Sequence, residues 1–160
     1  RAAARPAPSR AFVDRFVELF NQGDRAGLLG LMIDNVTTEN VGSALHLGLE
    51  TNRGARGWVE GALGGHPEWP AGFRFDSQRA ERFDYQGEPI VLLFRARAGR
   101  EFAFAAVRLR EEEGRLAYLR SYGFCPETMR EVCAELGLPV ATGLYRAPTP
   151  APGRYFGDPA

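Results

Sequence analysis

Apolar positions along this chain change from a helical period to an alternating one and back again. Phe12, Val13, Phe16, Leu19 and Phe20 recur at helical spacing, which predicts an amphipathic helix with an aromatic face. Ser9 suits its N-cap, and Asn21 to Gly23 ends it. Asp24 caps a second, shorter helix carrying Leu28, Leu29, Leu31 and Met32. Val36 to Val41 reads as a short strand. Leu45, Leu47 and Leu49 alternate, but Gly48 interrupts them, so Gly42 to Asn52 keeps no assignment. Gly54 to Leu63 reads as a short helix with Trp58, Val59 and Leu63, followed by a Gly/Pro loop to Gly72. Phe73 to Tyr85 is a strand that Gln86-Gly87 turns back. Pro126 opens a final helix with the stripe Met129, Val132, Cys133 and Leu136; Gly137 caps it and Pro139 stops it.

Pro89 to Phe124 is the centre of the pattern. Three runs rich in Val, Leu, Phe and Tyr are separated by turn signals around Gly99 and Gly114, which predicts three antiparallel strands in a meander. With two-residue turns at Gly99-Arg100 and Glu112-Glu113, one face carries Leu92, Phe94, Ala96, Ala98, Ala103, Ala105, Val107, Tyr118, Arg120 and Tyr122. Its alanines leave room, so this face is expected to line a pocket. The opposite face carries Leu93, Arg95, Arg97, Phe102, Phe104, Leu119 and Ser121. Phe beside Arg is a composition enriched at interfaces, so Arg95, Arg97, Phe102 and Phe104 are expected to meet another protein or a second copy of the chain. A three-residue second turn would exchange the face of Tyr118, Arg120 and Tyr122.

The element order places helices against a curved antiparallel sheet, an α+β architecture. The 160 residues suit one domain. Residues 1–8 (Ala/Arg/Pro) read as a linker, 9–146 as the domain, and 147–160 as a Pro/Gly-rich tail. Formal net charge is zero, and the basic residues are all Arg. No basic stripe is present, so the domain is not expected to bind duplex DNA directly. No apolar run approaches the roughly 20 residues of a membrane span. Cys125 and Cys133, eight apart in a helix, would be about 12 Å apart, too far for a disulfide; they read as thiols in a reducing cytoplasm.

The opening FVDRFVELFNQGDRAGLLGLMIDNVTTENVG and the element order resemble the SnoaL-like branch of the nuclear transport factor 2-like superfamily. That resemblance implies a cone-shaped curved antiparallel sheet with a pocket between sheet and helices. The run RSYGFCPETMREVCAELGLPVATGLYR is more specific. It resembles the close of SnoaL-like domains appended to bacterial extracytoplasmic-function (ECF) RNA polymerase sigma factors. The resemblance implies a regulatory, non-catalytic, cytoplasmic domain that tunes transcription by touching the sigma domains, and through them RNA polymerase, with room for a small apolar ligand. The sigma domains themselves are absent from this sequence, so the chain is expected to be the appendage alone.

Enzymes of the superfamily use a pocket carboxylate as general base, which sets an alternative: a SnoaL-like polyketide cyclase or ketosteroid-isomerase-like enzyme with Glu39 as base and Tyr118 as donor. The expected pocket comprises Glu39, Trp58, Tyr118, Arg120 and Tyr122. A buried Arg120 needs an acid, and Glu39 is the one expected to hold it. His46 and His66 read as satisfied or solvated, Glu111 to Glu113 as a solvated hairpin tip, and no His/Cys/Asp/Glu grouping has metal-ligand spacing. No metal and no cofactor are expected.

Overall fold

The computed structural model describes residues 5–54, 57–64 and 75–139. Helix α1 (Arg10–Asn21) is followed by α2 (Arg25–Leu31), strands β1 (Met32–Asn40) and β2 (Ala44–Leu47), and the short helices α3 (Leu49–Arg53) and α4 (Trp58–Gly64). Strands β3 (Ser77–Tyr85), β4 (Glu88–Arg97), β5 (Arg100–Glu112) and β6 (Arg115–Ser121) form the meander, and α5 (Pro126–Leu136) follows. The segment that the alternation of Leu45, Leu47 and Leu49 left unassigned is an edge strand followed by a helical turn.

The six strands lie in the order β2-β1-β6-β5-β4-β3. The sheet is mixed rather than wholly antiparallel, because β1 enters beside β6 in the parallel sense. All three meander turns hold two residues, Gln86-Gly87, Ala98-Gly99 and Glu113-Gly114, with positive φ at both positions. That is the geometry that matches strand twist. Two of them therefore sit one residue away from the positions expected from sequence.

Caps and pairs fix the helices to the sheet. Ser9 Oγ accepts from Phe12 N and donates to Glu111, which ties the start of α1 to the end of β5. Asn21 exchanges two hydrogen bonds with the backbone of Ala80 at 3.0 and 2.7 Å, so α1 occupies part of the free edge of β3. Arg82 pairs with Asp14 at 2.6 Å across the same contact.

Both faces of the sheet are covered. The inner face meets α1, α2, α3 and α4 in a core built on Phe16, Leu28, Trp58, Val91, Leu93, Val107 and Leu119. The outer face meets α5, where Met129, Val132 and Cys133 pack on Ile90, Leu92, Phe94 and Ala106. Gly137 takes the left-handed conformation that closes α5, as its sequence predicts.

Two β-bulges set which side chain goes where. Leu93 pairs with Ala105 and Phe94 with Ala103, which leaves Phe104 as the extra residue of β5. Arg110 pairs with Tyr118 and Glu111 with Leu116, which leaves Ala117 extra in β6. The first bulge sends Ala105 and Val107 to the inner face, against the sequence expectation. The second restores the count, so Tyr118 and Arg120 share a face with Leu92 and Phe94 after all. That face is the outer one.

Candidate functional site

The two sheet faces are exchanged relative to the sequence expectation. Leu93, Arg95, Phe102, Phe104, Leu119 and Ser121 form the helix-covered side, not a solvent-facing interface. Arg95 is 6% exposed and Phe102 8%. The physical reason is aromatic shielding, since two rings flank the Arg95 guanidinium. Its Cζ is 3.8 Å from the Phe104 centroid and 4.5 Å from that of Phe75. Phe75 in turn sits 6.0 Å from Phe102 and 6.1 Å from Phe104, centroid to centroid. Burial alone pulls the Arg95 pKa down to about 10. The side chain of Arg97 lies outside the described residues.

Gly123 belongs to this arrangement. A Cβ there would stand 3.3 Å from both the Phe104 ring and Ala105, so a larger residue would press on the ring that covers Arg95. Phe75 and Gly123 were not singled out from sequence. The Phe73–Tyr85 run contained the first, but nothing in the pattern joined it to Arg95.

The expected pocket acid sits elsewhere. Thr38, not Glu39, faces the inner side of β1; Leu119 beside it is fully buried. Glu39 pairs across to Arg120 on the outer face, where Arg120 Nε donates to Glu39 Oε2 at 2.9 Å. Tyr118 Oη donates to the same carboxylate oxygen, and Arg120 reaches Tyr118 Oη at 3.3 Å. The side chains of Arg120 and Glu39 are 45% and 25% exposed, so the pair is a surface feature, not a buried one. The Tyr118 hydrogen bond holds the Glu39 carboxyl below its ordinary pKa; burial, the next influence, opposes it, and Arg120 adds to the lowering. Hydrogen bonding to Tyr118 and Tyr122 raises that of Arg120. Arg110 lies over the Tyr118 ring at 5.5 Å, and its Nε is buried without a partner among the described residues.

Trp58 does face the inner side, but as core: it is 5% exposed, with its ring 6.1 Å from Phe16 and 6.5 Å from Phe20. The inner face also carries a polar pair missed in the sequence. Thr38 Oγ1 donates to Asn52 Oδ1 at 2.6 Å, and Asn52 Nδ2 donates to Gly48 O at 2.9 Å, all within buried surroundings. His46, the β2 partner of Thr38, is half-buried, and burial lowers its pKa. Among the described residues no three His, Cys, Asp or Glu side chains are grouped to hold a metal. No described helix is long and apolar enough to cross a membrane. His66 lies outside the described residues.

No protein-family model and no curated protein matches this chain. Solved structures do. An NTF-2 like protein of unknown function from Burkholderia xenovorans LB400 superposes with TM-score 0.50 at 13% identity, over 71% of this chain and 80% of that one. The fold is nuclear transport factor 2-like. A protein described as "Rd1NTF2_04 with long sheet" gives TM-score 0.51 at 17% identity, over 71% of this chain and 99% of that one. A putative ketosteroid isomerase from Kribbella flavida DSM 17836 gives 0.50 at 13% identity, over 71% and 75%. At these identities the likeness concerns the fold, and function rests on the side chains.

Proposed function

We propose that this nuclear transport factor 2-like domain is a regulatory, non-catalytic appendage of an ECF-type RNA polymerase sigma factor. In this reading it works in the cytoplasm, contacts the sigma domains and takes a small apolar ligand on its inner face. The observation that carries the non-catalytic half is the identity of the buried polar groups. Among the described residues they are Thr38, Asn52, Arg95 and Ser121, with no carboxylate. Proton abstraction from carbon needs a base aimed into a dry site, with its pKa raised toward working pH. Glu39 faces outward, and its partners lower its pKa.

The sigma-factor half is supported by the Arg120–Arg146 run and its resemblance to sigma-factor appendages. The outer face supplies a contact surface for it. Leu45 and Leu47 of edge strand β2, 57% and 63% exposed, pair with Glu39 and Thr37 on that face. This surface replaces the Arg95/Phe102/Phe104 patch as the proposed contact with sigma domains or a second copy.

The deciding experiment is in vitro transcription with an ECF sigma factor that carries this domain at its C-terminus, with and without the domain and with Leu45→Glu/Leu47→Glu. Altered promoter output on removal, reproduced by the double variant, supports the reading. Turnover of a β,γ-unsaturated ketosteroid by the wild-type domain, lost in Glu39→Gln, would replace it with the isomerase alternative.

A further inference from the structure

Arg95 stands apart from the other arginines. Every ion pair among the described residues uses a different one, such as Arg79 with Glu101 or Arg108 with Glu88, and these lie at or near the surface. Arg95, the most buried, makes no ion pair and no side-chain hydrogen bond to a described residue; its recorded contacts are the Phe75 and Phe104 rings. Their centroids lie 6.1 Å apart with the planes at 59°, so the two rings flank the guanidinium on adjacent sides rather than sandwich it. An aromatic ring is no conventional acceptor for its N–H donors, and no described side chain accepts from them. A buried charge without a counter-ion is costly, and an apolar side chain of similar volume there would be no less stable. The two ring contacts offset part of that cost, and among the described residues no counter-ion offsets the rest.

We propose that Arg95, with the rings of Phe75, Phe102 and Phe104, binds the carboxylate of an apolar organic acid. The guanidinium edge takes both carboxylate oxygens, the bidentate geometry that arginine matches best. The rings take the hydrocarbon part, as aromatic-lined sites with one placed polar group do. Although burial lowers its pKa to about 10, Arg95 carries its charge at neutral pH. A phosphate would bring a second negative charge to a site where, among the described residues, Arg95 is the cation assigned. This inference deepens the ligand-binding part of the function proposed above and is independent of its sigma-factor part.

The test uses the wild-type chain and Arg95→Met, titrated with 1-naphthoate, with neutral 1-naphthalenemethanol and with inorganic phosphate. Melting temperature and calorimetry are the readouts. Naphthoate should raise the wild-type melting temperature saturably, and the alcohol should bind about tenfold more weakly or less. Phosphate should have no effect. Arg95→Met should melt at or above the wild type and lose naphthoate binding. Equal binding of acid and alcohol, no binding of naphthoate, tighter binding of phosphate, or unchanged naphthoate binding by Arg95→Met would each overturn the proposal. Should Arg95→Met fail to fold, the acid-against-alcohol comparison on the wild type decides alone. A failure here leaves the transcription experiment untouched, so the two readings can fall separately.

Discussion

Thr38 and Glu39 are adjacent in β1 and serve opposite sides of the sheet. Thr38 Oγ1 is bonded to Asn52 at 2.6 Å on the inner side, while Glu39 is bonded to Arg120 at 2.9 Å on the outer. Strand alternation makes this unavoidable once Val36 is buried in the core. Replacing Thr38 with Val keeps the shape and leaves Asn52 Oδ1 without its donor. Stability should fall by about 1–3 kcal/mol in urea denaturation, the cost of stranding a buried acceptor. Gly57→Ala should act in the same direction, since a Cβ there would stand 2.5 Å from the Asn52 carbonyl oxygen.

Glu39→Gln should cost far less. The pair is partly solvated, so the loss is expected at about 1 kcal/mol or below, where a buried pair would lose several. The pH dependence has a fixed sign. A carboxyl whose pKa is lower folded than unfolded contributes stability above its unfolded value and loses it as pH falls through the folded one. The difference in melting temperature between wild type and Glu39→Gln should therefore be present at neutral pH, begin to shrink near the ordinary carboxylate value of 4.5, and vanish only below the lowered folded value.

Ala98 occupies the left-handed region at φ 51 in the β4–β5 turn, where a Cβ is a strain. Ala98→Gly relieves it, offset by greater freedom in the unfolded chain. A net gain of about 0.5–1 kcal/mol is expected in chemical denaturation. A loss would show that the turn is not the Ala98-Gly99 type with both φ values positive.

Helix α5 belongs to the fold rather than decorating it. Met129 is fully buried, and its sulfur accepts from Ala106 N at 3.1 Å. Met129→Ala should lower stability by about 2–5 kcal/mol. A chain ending before Pro126 would uncover Ile90, Leu92 and Phe94, and should bind a hydrophobic dye such as anilinonaphthalene sulfonate more strongly than the full chain.

Helix α1, the meander and the cap at Gly137 were legible because each rests on local chemistry: periodicity, X-Gly turns, a helix stop. Even the grouping of Tyr118 and Arg120 with Leu92 and Phe94 was recoverable by alternation, since the bulges at Phe104 and Ala117 offset one another. What alternation could not supply was the identity of each face. A sheet covered on both sides presents two apolar faces, and the arginine that would mark the wet one is shielded here by Phe75 and Phe104. The Phe75 contact joins segments about twenty residues apart, and the Thr38–Asn52 bond joins a strand to a helical turn. No periodicity within either segment encodes such contacts.

The parallel pairing of β1 with β6 has a kinetic consequence. Glu39 and Arg120 are 81 positions apart, whereas every contact within the meander closes through a two-residue turn. Local hairpins cost little entropy to form, while docking β1 requires a long loop to close first. The meander can assemble before β1 has a partner, and β6 then offers an open edge until β1 arrives. During synthesis or refolding that edge is the place where a second chain would compete, so aggregation propensity should be set by how quickly residues 32–40 dock.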